Sequence, residues 1–214
     1  MSLARTERAA LADLFAEVGP ERPTLCEGWN TGDLLNHLLV RERRPDAAGG
    51  MFVPALAGWT RRVTAGYAEQ SWDERIALLR SGPPVWNPMR IPAVDAAANG
   101  AEMLIHHEDV RRGEPGWAPR QLDPVTQRQV VALLGNPLTR LALRRAGVGL
   151  TAVVTDTAGD PERRVVVREA APTVELRGGS VDLVLVLAGR SAATVEVTGP
   201  PAAVDAFRAA PFGL

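Results

Sequence analysis

Two periodicities divide this chain. From residue 3 to residue 112 apolar residues recur at helical spacing, and beyond residue 119 they gather in short β-branched runs. Leu3, Leu11, Leu14, Phe15 and Val18, with charges between them, predict an amphipathic helix over 3–18 that Gly19-Pro20-Glu21-Arg22-Pro23 ends. A loop from Thr24 to Trp29 leads to Asn30 or Thr31 as N-cap, and a second helix runs to about Arg44, before Pro45. A third helical region covers about 53–81, with a break near Gln70-Ser71-Trp72. Four prolines between Ser81 and Pro92 exclude regular structure there. A fourth helix, about 93–112, stops at Gly113 with two arginines in its last turn, where they suit the helix dipole. Four helices with one apolar face each predict a bundle over residues 1–115.

Glu114-Pro115-Gly116-Trp117-Ala118-Pro119 reads as a boundary. Beyond it, over 120–214, the pattern predicts a helix at about 124–145 and strands at 148–155, 164–168 and 173–176. A helix capped near Gly178-Gly179-Ser180 follows, then a strand at 194–198 and a last helix at 202–209. The expected fold class is α+β: a helical bundle followed by a small α+β domain with a mostly antiparallel sheet.

Composition narrows the function. The 214 residues are 46% hydrophobic and 23% charged, as in soluble globular proteins. A net charge of −1 argues against broad electrostatic binding of nucleic acid or anionic membrane. Cys26 is the only cysteine, so no intrachain disulfide forms and a reducing cytoplasm is the expected compartment. Neither a secretory signal nor an apolar run long enough for a bilayer is legible.

The three histidines carry the candidate chemistry. On the fourth helix, steps of four and three link Asp95, Asn99, Glu102, His106 and Asp109 into one polar stripe where a bundle helix is ordinarily apolar. The second helix shows a shorter seam of Asp33, His37 and Arg44. Polar groups facing a core are costly unless paired or bound to an ion. Two such seams could satisfy each other around a divalent metal held by His37, Glu102 and His106, with Asp33, Asn99 and Asp109 orienting the imidazoles. The alternative is a solvent-facing Glu–His pair, which is common on helices. His107 points about 100° away from His106 and reads as exposed or as an outer neighbour of the site. Cys26, in a loop with no base on its own element, reads as a small buried hydrophobe. The arginines of 41–44 read as a solvated face, and Gly178-Gly179-Ser180 as a turn and helix cap with only a weak suggestion of a phosphate site.

The segment from Leu25 to Leu38, followed by Arg41-Glu42-Arg43-Arg44-Pro45-Asp46 and by Glu102-x-x-x-His106-His107-Glu108-Asp109, resembles the mycothiol-dependent maleylpyruvate isomerase family of actinobacteria. That resemblance implies a DinB-like metal-binding four-helix bundle joined to a small sterol-carrier-protein-like domain. It maps a zinc or similar divalent ion, nickel included, onto His37, Glu102 and His106, and gives Arg190 a catalytic role. It further implies mycothiol as co-substrate, a cleft between the two domains to hold it, and the segment 82–92 as wall or lid. The function expected on this basis is metal-dependent activation of a low-molecular-weight thiol for transfer to, or isomerisation of, a small electrophile. The alternative is a non-catalytic metal-binding protein acting as a small-molecule or stress-response binding module. Expected partners are the thiol and the electrophile, with no nucleic acid and no membrane.

Overall fold

A computed structural model describes residues 1–49, 53–157, 159–160 and 162–212. The chain divides into two units, Met1–Trp117 and Ala118–Leu214. The first is helical: α1 (Leu3–Val18), α2 (Thr31–Arg43), α3 (Pro45–Ala48), α4 (Ala57–Ala68), α5 (Trp72–Ser81) and α6 (Pro92–Arg111). Four of these share one core. Leu11 and Phe15 of α1 meet Leu34, Leu35, Leu38 and Leu39 of α2, Ile76 and Leu79 of α5, and Met103 and Val110 of α6. Helix α4 attaches through a smaller cluster, Val63 against Val40 and Ala47.

Local chemistry sets the starts of these helices. Asn30 accepts the Asp33 N–H with its side chain while the Asp33 carboxylate accepts the Asn30 N–H, a reciprocal cap that begins α2. Ser71 and Glu74 do the same for α5, which explains the break in the third helical region. The proline-rich stretch holds a single 3-10 turn, Pro88–Arg90. It is fastened to its own unit: Asn87 Nδ2 donates to the Glu42 carbonyl at 2.7 Å and Arg90 to the Ser81 carbonyl at 2.9 Å.

One crossing matters for the site. The chain at Pro23–Thr24 passes directly over Gly113, where a Cβ would lie 2.1 Å from the Pro23 carbonyl oxygen. Only glycine fits there. The Leu25 N–H then donates to the Asp109 carbonyl at 3.0 Å, laying the loop before α2 along the last turns of α6.

The second unit contains α7 (Pro124–Ala132), α8 (Pro137–Ala146), β1 (Gly149–Val154), β2 (Arg163–Arg168), β3 (Thr173–Gly178), α9 (Ser180–Leu187), β4 (Val195–Thr198) and α10 (Pro201–Arg208). The single helix expected over 124–145 is two. Asn136, immediately before Pro137, takes an extended conformation, and the proline starts the next helix. Strand order is β2-β1-β3-β4, and the sheet is mixed: β1 pairs antiparallel with β2 but parallel with β3. The parallel pair arises because the four residues after β2 carry the chain across the start of β1 to its other side. Gly149 admits that crossing, since a Cβ there would lie 2.1 Å from the Ala170 carbonyl oxygen. The turn at 178–180 is the helix cap expected there, and the Asp156 carboxylate fills it by accepting the Ser180 N–H at 3.0 Å and its hydroxyl at 2.9 Å. Among the described residues no helix is long and apolar enough to cross a membrane.

Candidate metal centre

The polar stripe on α6 faces inward. Asp95, Asn99, His106 and Asp109 are all buried, and each has a partner. At the end of the stripe nearer the start of α6, Arg8 of α1 clamps two carboxylates, Glu42 of α2 at 2.5 Å and Asp95 at 2.6 Å. Asn99 Nδ2 donates to Asp95 Oδ1 at 2.7 Å, and Asn99 Oδ1 accepts from the Arg41 guanidinium. The Arg41 Nε lies 3.3 Å from Glu102 Oε2, and its Nη2 donates to the Ala98 carbonyl. A continuous polar network therefore runs from α1 through α2 to Glu102.

Beyond Glu102 the network reaches the histidines. His37, Glu102 and His106 each offer a ligand atom, and these atoms lie within 4.8 Å of one another. The His37 and His106 rings meet edge to face with centroids 5.3 Å apart. Glu102 Oε2 is 3.4 Å from His106 Nε2, the separation that two oxygen or nitrogen donors take around a tetrahedral ion of roughly 2.1 Å bond length. His106 Nδ1 lies 2.9 Å from Asp109 Oδ2. With a proton held on Nδ1 by that carboxylate, an ion that displaces the Nε2 proton would meet a lone pair directed at Glu102 and His37, the tautomer a ligating histidine needs. The three donors thus fit a small divalent ion with modest closure.

Electrostatics separates the two imidazoles. Burial, aided by the neighbouring His106 charge, lowers His37 to about 4, so at neutral pH it is an uncharged donor. Burial acts to discharge His106 as well. There it is overridden by hydrogen bonds with Asp109, Cys26 and Glu102, which hold its pKa well above the ordinary histidine value. Burial likewise acts to raise Glu102, but its hydrogen bond with His106 and the Arg41 charge outweigh it and keep the carboxylate below its usual range.

A pocket of about 230 Å³ opens beside His37, lined by Trp29, Asp33, His37, Val40, Thr60 and Thr64. Trp29 stands with its ring centroid 5.1 Å from that of His37. Of the residues expected to orient the imidazoles, Asp109 touches His106. Asn99 instead holds Arg41 and Asp95, and Asp33 caps α2 and lines the pocket.

Several side chains stand elsewhere than the sequence reading put them. Cys26 is only partly buried and does more than a small hydrophobe: its thiol donates to Asp109 Oδ2 at 3.2 Å and lies 3.9 Å from His106 Nδ1, delivered by the loop that crosses Gly113. His107 is not exposed; it is buried, with Nδ1 2.7 Å from Glu7 Oε2 of α1. Arg41 rather than Arg44 shares the His37 seam, one helical turn beyond it, while Arg44 pairs with Asp46 and lies over the Trp59 ring. Arg190 belongs to the C-terminal unit, in the turn after α9, where its Nη1 donates to the Ala188 carbonyl at 2.9 Å. Comparison with family models, curated proteins and solved structures finds no match to this chain.

Proposed function

We propose that the chain is a divalent-metal-dependent enzyme that activates a low-molecular-weight thiol for transfer to, or isomerisation of, a small electrophile. The observation that carries this reading is the meeting of the His37, Glu102 and His106 donors beside a pocket that His37 itself lines. Mycothiol as the thiol, zinc or nickel as the ion, the DinB-like bundle and the sterol-carrier-protein-like domain rest on the sequence resemblance alone, as does a catalytic role for Arg190. Bound to two histidines and one carboxylate, such an ion keeps a position for an external ligand and lowers the pKa of a thiol placed there.

The chain's own side chains do the rest. His37 binds without having to shed a proton at neutral pH. Asp109 fixes the His106 ring and its tautomer, and Arg41 holds Glu102 in place. Trp29 and Val40 give the pocket an apolar wall that excludes water from the incoming thiol, while the Thr60 and Thr64 hydroxyls and Asp33 offer polar contacts. A second reading, a non-catalytic metal-binding module, is favoured by one observation: a further donor group, Cys26, His106 and Asp109, gathers on the other side of the same His106 ring.

The test is an assay of thiol conjugation and cis–trans isomerisation on a panel of electrophiles, with mycothiol supplied and withheld. Wild type and Cys26→Ala turn over with thiol present, and His37→Ala loses nearly all activity. Metal-loaded wild type that turns over no electrophile would transfer the assignment to the binding module. Loss of activity in Cys26→Ala with fold and metal content intact would refute activation of an external thiol.

A further inference from the structure

His106 presents donors on both sides of its ring. Its Nε2 faces Glu102 and His37, whereas its Nδ1 faces Asp109 and the thiol of Cys26. The second set is as compact as the first: Sγ to Nδ1 is 3.9 Å, Sγ to Oδ2 is 3.2 Å and Nδ1 to Oδ2 is 2.9 Å. A point about 2.0 Å from all three atoms exists within that triangle. Zinc-like bonds to nitrogen and oxygen have this length, and bonds to thiolate are roughly 0.3 Å longer. Cys26 has to retreat by only that amount, and it sits in a loop at a partly exposed position rather than in a helix.

We propose that Cys26, His106 and Asp109 form a second ion position, selective for a soft thiophilic cation and exclusive of the His37–Glu102–His106 position. Selectivity follows from the donors, since a thiolate prefers soft ions while two imidazoles and a carboxylate suit harder first-row divalent ions. Exclusivity follows from the ring. A neutral imidazole carries one proton. With the ion on Nε2, that proton sits on Nδ1 and is accepted by Asp109. With the ion on Nδ1, it sits on Nε2, 3.4 Å from Glu102, and occupies the direction the first ion would use. Binding at the second position expels the thiol proton to water and replaces the hydrogen bond that Cys26 donates to Asp109. A soft cation therefore displaces the first ion without competing for its other two ligands.

The experiment uses Co2+ as the harder probe and Cd2+ as the soft one, on the full chain freed of metal by chelation. Co2+ is followed by its d–d absorption and Cd2+ by thiolate-to-metal charge-transfer absorption in the ultraviolet. In wild type preloaded with Co2+, one equivalent of Cd2+ abolishes the d–d bands as the thiolate band appears. In Cys26→Ser, Co2+ still binds and one equivalent of Cd2+ leaves its bands in place. In His37→Ala, Cd2+ still gives the full thiolate band. Displacement of Co2+ to the same extent in Cys26→Ser and wild type would overturn the proposal, because both ions would then compete for one donor set. So would a thiolate band that grows while the Co2+ bands persist, or its loss in His37→Ala. Co2+ binding by Cys26→Ser reports on the His37–Glu102–His106 position alone, and the Cd2+ thiolate band of His37→Ala on the second position alone, so the two fail separately.

Discussion

Replacing Arg8 by methionine tests whether the buried stripe of α6 is held by charge. Methionine keeps much of the volume and removes the guanidinium that contacts Glu42 and Asp95 together. Both carboxylates are left buried, near each other and without the guanidinium that bonds to them, with only the more distant Arg41 charge acting on Glu42. Breaking a buried pair in this way costs about 3–5 kcal/mol. The loss is capped because Glu42 can take up a proton instead; from its ordinary value of 4.5, protonation at pH 7 costs about 3.4 kcal/mol. The expected destabilisation at pH 7 is therefore about 3–4 kcal/mol, on the order of 15 °C in Tm for a unit of this size. Its pH dependence is diagnostic. A carboxyl whose folded pKa is raised makes folding less favourable as pH rises, so the deficit of the variant shrinks by up to about 1.4 kcal/mol for each pH unit below 7 until the pKa of Glu42 in the wild type, itself raised by burial, is reached. Denaturant unfolding at pH 7 and pH 5 measures it directly, and adding Glu42→Gln to Arg8→Met recovers most of the loss at pH 7. A deficit under about 1 kcal/mol, or one that does not change with pH, would refute the view that this network is electrostatically closed.

Asp109→Asn removes the charge behind His106 while keeping an acceptor for Nδ1, and the ion affinity of the His37–Glu102–His106 set is expected to fall about 10–100-fold by metal titration; unchanged affinity would mean that Asp109 does not orient the ring. In metal-free protein His37 is depressed from 6.5 to about 4, so its neutral form is fully accommodated above pH 6.5. Stability is then lost as pH falls from 6.5 through about 4, by at most about 3.4 kcal/mol, and a His37→Gln variant lacks this contribution in chelated samples.

Much of the helical unit was legible because its signals are local. Apolar spacing marked α1 to within its observed ends, Asn30 or Thr31 marked the start of α2, where Asn30 is the cap, and the stepping of Asp95, Asn99, Glu102, His106 and Asp109 described a stripe that does face inward. The meeting of His37 with Glu102 and His106 depended on two seams coming together, which the resemblance suggested and the residues alone left open. Other partners carried overlooked signals. Glu7 and Arg8 lie four residues from Leu3, Leu11, Ala4 and Ala12, on the apolar stripe of α1, where charges demand buried partners. Arg41 lies one turn from His37, a shorter step than the one to Arg44. Cys26 had no such signal, because its place beside His106 comes from a chain crossing over Gly113 that no spacing encodes. The parallel pairing of β1 with β3 was hidden for the same reason, being set by a four-residue crossing at Gly149.

Whether His37, Glu102 and His106 build one ion position is read from anomalous scattering by crystals of the chelated protein soaked with Co2+. A peak bonded to His37, to the Glu102 carboxylate and to Nε2 of His106 at roughly 2.0–2.2 Å is expected, with its loss in His37→Ala crystals. A peak elsewhere, or one that survives unchanged in His37→Ala, would rule that position out.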